Sequence, residues 1–175
     1  MTKIAVIVGS LRKESINKQF AQELETLLPE GTTFEYADLN MPLYNHDLEA
    51  DYPAEAQALK TLVESADGVL FVTPEYNRSF PGVLKNAIDW ASRPWGTNSF
   101  DGKPAAIAGV SASLATTQAQ AHLRNVAVYL NTKFMGQPEM YVDHQRAYNE
   151  EGVLTEESTE RYQTFLDAFL KHVNG

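Results

Sequence analysis

Lys3-Ile4-Ala5-Val6-Ile7-Val8-Gly9-Ser10-Leu11-Arg12-Lys13-Glu14-Ser15-Ile16-Asn17 is the stretch that decides how this chain folds. Lys3 to Val8 is a continuous apolar run, mostly β-branched, as expected of a strand buried on both faces of a parallel sheet. Gly9 to Glu14 breaks it with polar residues. From Ser15 onward Ile16, Phe20, Leu24 and Leu27 recur every three or four residues, which predicts a helix that Pro29-Glu30-Gly31 ends. A buried strand passing through a polar turn into an amphipathic helix is the opening half of a β-α-β unit.

The same alternation runs down the chain. Thr33 to Ala37 reads as a short second strand near an edge, followed by a long loop from Asp38 to Pro53 and a helix over Ala54 to Ala66. Gly68 to Thr73 is a third apolar strand, Pro74 to Phe80 a polar loop, and Pro81-Gly82 opens a helix reaching Ala91; proline suits a first turn because its missing N–H is not needed there. Arg93 to Gly102 is rich in turn residues. Lys103 to Val110 is the fourth strand, Ser111 to Thr117 a loop of small residues, and Gln118 to Leu130 a helix. A short fifth strand is expected around Glu139 to Val142, and Thr155 to Val173 forms a last helix with Tyr162, Phe165, Leu166, Phe169 and Val173 on one face. Strands alternating with helices, without a break in composition, predict one α/β domain over residues 1–175. Its doubly wound, five-stranded parallel sheet has order 2-1-3-4-5 and right-handed crossovers.

Composition narrows the chemistry. The absence of cysteine removes disulfides, thiolate metal sites and cysteine nucleophiles together. A formal net charge of −9 and no dense basic stripe argue against nucleic acid as a partner. The apolar N-terminal run is too short to span a membrane and lacks the flanks of a secretory leader, so the cytoplasm is the expected compartment. His46, His122, His144 and His172 share no ligand spacing, so no metal site is expected. The fingerprints G-x-G-x-x-G, G-x-x-x-x-G-K-[ST] and G-x-S-x-G are all missing.

In an open parallel sheet, ligands bind beyond the carboxyl ends of the strands where the strand order reverses, here between strands one and three. The loops leaving strands one, three and four should share that cleft. The first presents Ser10, Ser15, Asn17 and the fork of Arg12 at a helix N-terminus, an arrangement suited to phosphate; capping of the helix by Ser15 with Arg12 and Lys13 solvated is the competing reading. The second, Thr73 to Gly82, has prolines near both ends and Tyr76 between them, a stiff polar strip for the edge of a flat heterocycle. A surface loop with Tyr76 packed on the next helix would look the same. The third, Ser111 to Thr117, offers hydroxyls that could equally cap a helix. Trp90 suits the core, and Trp95 suits either the core or the cleft rim. A prepared cleft with no acid, base or nucleophile in it points to chemistry carried by a cofactor.

Two stretches, Gly9 to Asn17 and Pro74-Glu75-Tyr76-Asn77-Arg78-Ser79-Phe80-Pro81-Gly82-Val83-Leu84-Lys85-Asn86-Ala87-Ile88-Asp89-Trp90, resemble the NADPH-dependent FMN reductase family, flavodoxin-like quinone, chromate and azo-dye reductases. The resemblance implies a flavodoxin-like fold and FMN, with the phosphate at Ser10, Arg12, Ser15 and Asn17 and with Ile16 as a further cofactor-binding residue. It places Pro74, Glu75, Tyr76 and Asn77 along the isoalloxazine, largely through backbone groups, and Ser111 as a further contact. It implies NADPH or NADH as donor, a quinone or other small molecule as acceptor, and a homodimer or homotetramer. A non-enzymatic, flavodoxin-type electron carrier is the alternative; Arg12 argues against it, because flavodoxins hold phosphate with a Thr- and Gly-rich turn. One departure stands out. Relatives usually carry a Gly-Gly pair and an arginine before the Gln120-Ala121-His122-Leu123-Arg124 stretch, where this chain has Ala115, Thr116 and Gln118.

Overall fold

In the computed structural model, which describes residues 1–112 and 115–175, a parallel sheet is built around β1 (Thr2–Val8). Ser113 and Leu114 of the third loop lie outside the described residues. β1 pairs with β2 (Thr32–Tyr36) on one side and β3 (Gly68–Val72) on the other, and β4 (Pro104–Ser111) pairs with β3. The fifth position holds two segments, β5 (Lys133–Phe134) and β6 (Met140–Asp143), both parallel to β4. The order β2-β1-β3-β4-β5 is the one expected from the sequence. The two-residue β5 was not expected, and the break after it has a local reason. Gly136 has no side chain to pack and Pro138 no N–H to donate, so neither sustains a ladder.

The helices are α1 (Ile16–Thr26), α2 (Ala54–Ser65), α3 (Gly82–Ala91), α4 (Thr117–Tyr129), a short α5 (His144–Ala147) and α6 (Glu156–Asn174). Alternation along the strands divides the core. Ile4, Val6 and Val8 of β1, with Leu70, Val72, Ala106 and Ala108, face Phe20 and Leu24 of α1 and Tyr162, Phe165 and Phe169 of α6. Ala5 and Ile7, with Val69, Phe71, Ala105 and Ile107, face α2, α3 and α4 through Leu59, Val63, Leu84, Ile88 and Leu123. Each large aliphatic side chain buried this way contributes about 1.5–3 kcal/mol. The continuous apolar runs read from the sequence follow directly from a sheet covered on both faces.

The segment read as a long loop contains a single 3-10 turn, His46–Leu48, and is fastened to α3. Pro42 O accepts from Trp90 Nε1 at 2.8 Å and Asn86 Nδ2 at 2.9 Å, and Asn86 Oδ1 accepts from Tyr44 N at 2.8 Å. Tyr44 and Tyr52 meet the indole of Trp90 edge-on, and the Tyr52 hydroxyl donates to Trp90 O. Trp90 is therefore core. Trp95 is 78% exposed and follows α3 ahead of β4, at the amino ends of the strands, so it is neither core nor cleft rim.

Burial is the main force holding protons on several tyrosines. It pushes the Tyr52 hydroxyl up to about 12. It raises Tyr36 and Tyr148 as well, with help from hydrogen bonds to Glu25 and Glu23, and raises Tyr162 beside Glu23. Each group binds its proton more tightly folded than unfolded. The stability it contributes is thus whole below about pH 10, the unfolded value, and is lost as pH rises through the folded one. Denaturant midpoints should fall between about pH 10 and about pH 12, while tyrosinate absorbance shows a fraction of the tyrosines ionising only as the chain unfolds.

Candidate functional site

The rim of the sheet is organised by one side chain. The N–H of Thr73 reaches Ala108 O at 3.0 Å, and then Pro74 ends β3 while β4 continues to Ser111. The next groups on that side of β4, the N–H and C=O of Val110, are left without a strand partner. Asn17 supplies both: Nδ2 donates to Val110 O at 2.9 Å, and Val110 N donates to Oδ1 at 2.9 Å. A carboxamide has the donor and acceptor of a peptide unit, so the 1%-exposed Asn17 acts as a substitute strand residue. It clamps the first turn of α1 to the carboxyl end of β4. The sequence suggests this side chain as a phosphate donor; in the structure its two polar atoms are engaged by Val110 instead.

The first loop is shaped for an anion. Gly9 N donates to Val72 O and Ser10 N to Val8 O, each at 2.8 Å, which turns the chain sharply out of β1. A Cβ on Gly9 would meet Leu84 Cβ and Cδ2 at 3.3 Å, so the turn lies tight against α3. Ser15 caps α1, its hydroxyl accepting from Lys18 N at 3.3 Å. The N–H groups of Ile16 and Asn17 lie in the first turn, where a helix has no acceptor of its own. Ser10 is half-buried beside them, and the exposed Arg12, Lys13 and Lys18 make no ion pair among the described residues. A cavity of about 610 Å³ lies beside this loop, lined also by Tyr36, Asp38 and Asn40.

The second loop is a tight reverse turn resting on α4. Tyr76 N donates to Ser79 O at 2.8 Å and Ser79 N to Tyr76 O at 3.0 Å, with Asn77 and Arg78 between them at φ 51° and 65°. Asparagine tolerates that left-handed region better than most residues. Glu75 turns its carboxylate to the start of α4, where Oε2 accepts from Gln118 N at 2.9 Å and Ala119 N at 3.1 Å. Ser79 Oγ and His122 Nδ1 lie 3.2 Å apart. Tyr76 is 54% exposed.

The third loop is anchored from below. A Cβ on Gly109 would come within 2.2 Å of Thr73 O and 2.6 Å of Thr116 Oγ1, so only glycine lets β4 and Thr116 approach so closely. Thr116, fully buried at φ 66°, accepts from Gln120 Nε2 at 3.0 Å, and the same Gln120 amide donates to Met140 O at 2.9 Å. Ala115 is also left-handed, at φ 48°. Ala115 and Thr116 thus share a left-handed backbone, with Thr116 held in the packing beneath the loop. Ser111 closes β4 with its hydroxyl on Ala112 O at 3.1 Å.

Ser10, Arg12, Ser15, Ile16 and Asn17 follow the carboxyl end of β1, Pro74, Glu75, Tyr76 and Asn77 follow that of β3, and Ser111 is the last residue of β4. Gly109 and His122 also shape this rim without having been assigned to it from the sequence, and Thr116 and Gln118, noted there only as departures from the family's pattern, shape it too. Among the described residues no group of three or more His, Asp or Glu is placed to hold a metal ion.

An open parallel α/β sheet with an anion-ready helix mouth at its switch point defines a flavodoxin-like protein. The signature of the NADPH-dependent FMN reductase family matches residues 2–147. A 2-hydroxy-1,4-benzoquinone reductase of Burkholderia sp is 50% identical over 171 residues, covering 95% of this chain and 93% of that protein. A quinone reductase of Pseudomonas putida is 40% identical over 174 residues, covering 97% and 94%. The structure of a flavoenzyme NAD(P)H:(acceptor) oxidoreductase from Paracoccus denitrificans superimposes with a TM-score of 0.91 at 43% identity, covering 99% of this chain and 98% of that one. The chain belongs to the NADPH-dependent FMN reductase family. It is accordingly an oxidoreductase that works with FMN and a reduced nicotinamide.

Asn17→Ala should cost about 2–4 kcal/mol in denaturant unfolding, because it strands a buried N–H and a buried C=O at Val110. A loss below about 1 kcal/mol would show that water takes over both groups.

Proposed function

We propose that the chain reduces a quinone or a similarly small acceptor, with FMN seated across this rim. The observation that carries the reading is the helix mouth of α1. The first-turn N–H groups of Ile16 and Asn17, which have no acceptor within the helix, the hydroxyls of Ser10 and Ser15 and the guanidinium of Arg12 form the donor set a phosphate requires, and their chemistry fits the group. Pro74, Glu75, Tyr76 and Asn77, in the fixed backbone of the second loop, would line the ring, with Ser111 beyond them. When bound, FMN supplies the chemistry of accepting hydride from NADH or NADPH and passing electrons to the acceptor. The chain's own work is to fix the phosphate, hold a rigid backbone strip along the ring edge and keep one face open, which the exposed Tyr76 borders.

A quinone as acceptor is supported by the names of the Burkholderia and Pseudomonas putida relatives. We take the whole chain, residues 1–175, as one functional unit, acting in the cytoplasm; no helix among the described residues is long and apolar enough to cross a membrane. A homodimer or homotetramer is favoured by Tyr76 at the rim and by Val128 and Tyr129, 75% and 72% exposed near the end of α4.

Anaerobic addition of NADPH to the FMN-loaded protein should bleach the flavin absorbance within the mixing time, and benzoquinone should restore it. Flavin that binds but stays oxidised under NADPH and NADH alike would overturn the enzymatic reading. Arg12→Ala should weaken FMN by about 1.5–3 kcal/mol through loss of a charge-assisted bond, read by titrating FMN into the flavin-free chain; unchanged affinity would remove Arg12 from the site.

A further inference from the structure

We propose that the groove between the first loop and the end of β2 receives the adenosine 2′-phosphate of NADPH, and that Lys13 and Lys18 select this donor over NADH. The inference rests on FMN taking the mouth of α1, as argued above. A chain of net charge −9 repels a polyanionic dinucleotide, so the donor needs a place where the local charge is positive. Three of the 14 basic residues, Arg12, Lys13 and Lys18, fall within seven positions and line one cavity of about 610 Å³. Asp38 is the one carboxylate in that lining, and none of the three cations is ion-paired among the described residues. With Arg12 turned to the FMN phosphate, two lysines remain that FMN does not use.

The rest of the lining suits a nucleoside. Tyr36 presents a half-buried ring, fixed by its hydroxyl, which donates to Glu25 Oε2 at 2.8 Å. Asp38 Oδ1 accepts from Asn40 N at 2.9 Å, which leaves Asp38 Oδ2 and the Asn40 carboxamide for ribose hydroxyls or the adenine amino group. The volume falls within the range of pockets that take small molecules, roughly 300–1,000 Å³. Direction points the same way. The nicotinamide has to lie on the flavin ring, so the remainder of the donor must run away from it across the surface. In the other loops that leave strand ends, the cations are Arg78 and Arg146. Arg78 is the only Lys or Arg between Thr73 and Gly82, and Arg146 is held by Asp143 at 3.6 Å. A phosphate monoester carries a charge of about −1.5 to −2 near neutral pH, which two adjacent lysines match and a single arginine does not. NADH has a bare hydroxyl at that position and gives the lysines nothing to bind.

The test reads kcat and KM of the FMN-loaded protein for NADPH and NADH with benzoquinone as acceptor, together with calorimetric binding of 2′,5′-ADP and 5′-AMP. The unaltered protein should favour NADPH in kcat/KM and bind 2′,5′-ADP more tightly than 5′-AMP. Lys13→Gln combined with Lys18→Gln should raise KM for NADPH about tenfold and leave kcat, the NADH constants and FMN affinity within about twofold. Lys13→Arg with Lys18→Arg should keep the preference. Equal use of the two donors by the unaltered protein, or a preference that survives loss of both lysines, would overturn the proposal. A preference lost in Arg78→Ala but kept without the lysines would overturn it as well. Weakened FMN in the double glutamine variant would assign the lysines to the flavin phosphate, with the same result. A chain that takes up no FMN, yet binds 2′,5′-ADP more tightly than 5′-AMP, would uphold the phosphate-binding groove and overturn the flavin reading instead.

Discussion

The two hydrogen bonds between the Asn17 side chain and Val110 are the constraint on which the rim depends. They exist because proline ends β3 before β4 has finished. A longer β3 would have paired with Val110 and run through the space where the second loop now turns. A shorter β4 would have left nothing to hold the first turn of α1. The carboxamide bridges the mismatch and fixes three things together: the start of α1, the end of β4 and the gap between them. Gly109 serves the same junction from the other side, admitting Thr116 where any side chain would collide.

From that junction the loops acquire separate tasks. The first exposes unpaired N–H groups and a cation. The second presents backbone along a stiff turn. The third, propped on Thr116 and Gln120, starts α4 where Glu75 can reach it. Residues 43 apart in sequence thereby share one rim.

Much of this was legible in the sequence, and the reason is burial. β1, β3 and β4 lie inside the sheet and face helices on both sides, so their runs are apolar throughout and stand out. The positions Ser10, Ser15 and Pro74 to Asn77 could be placed because loops following parallel strands gather at one end. Lys133–Phe134 could not be seen, since two residues carry no periodicity. The pairing of Asn17 and the capping by Glu75 were invisible for a different reason: both partners are backbone groups, which leave no mark on the residue types at positions 110, 118 and 119. A hint did exist for Glu75, because the start of α4 lacks an acidic residue in its first turn.

The interrupted fifth position has a consequence beyond topology. An outermost strand normally offers a row of open carbonyls and N–H groups to any neighbouring chain. Here the row is broken into two short pieces, and α6 reaches over both. Arg161 Nη2 donates to Tyr141 O at 2.7 Å, and His172 Nε2 lies 2.7 Å from Lys133 O. On the opposite border β2 is only five residues long and carries Glu35. Neither border offers a long, uncharged template, so strand addition that could seed aggregation is discouraged at both margins while the ligand-binding end stays open.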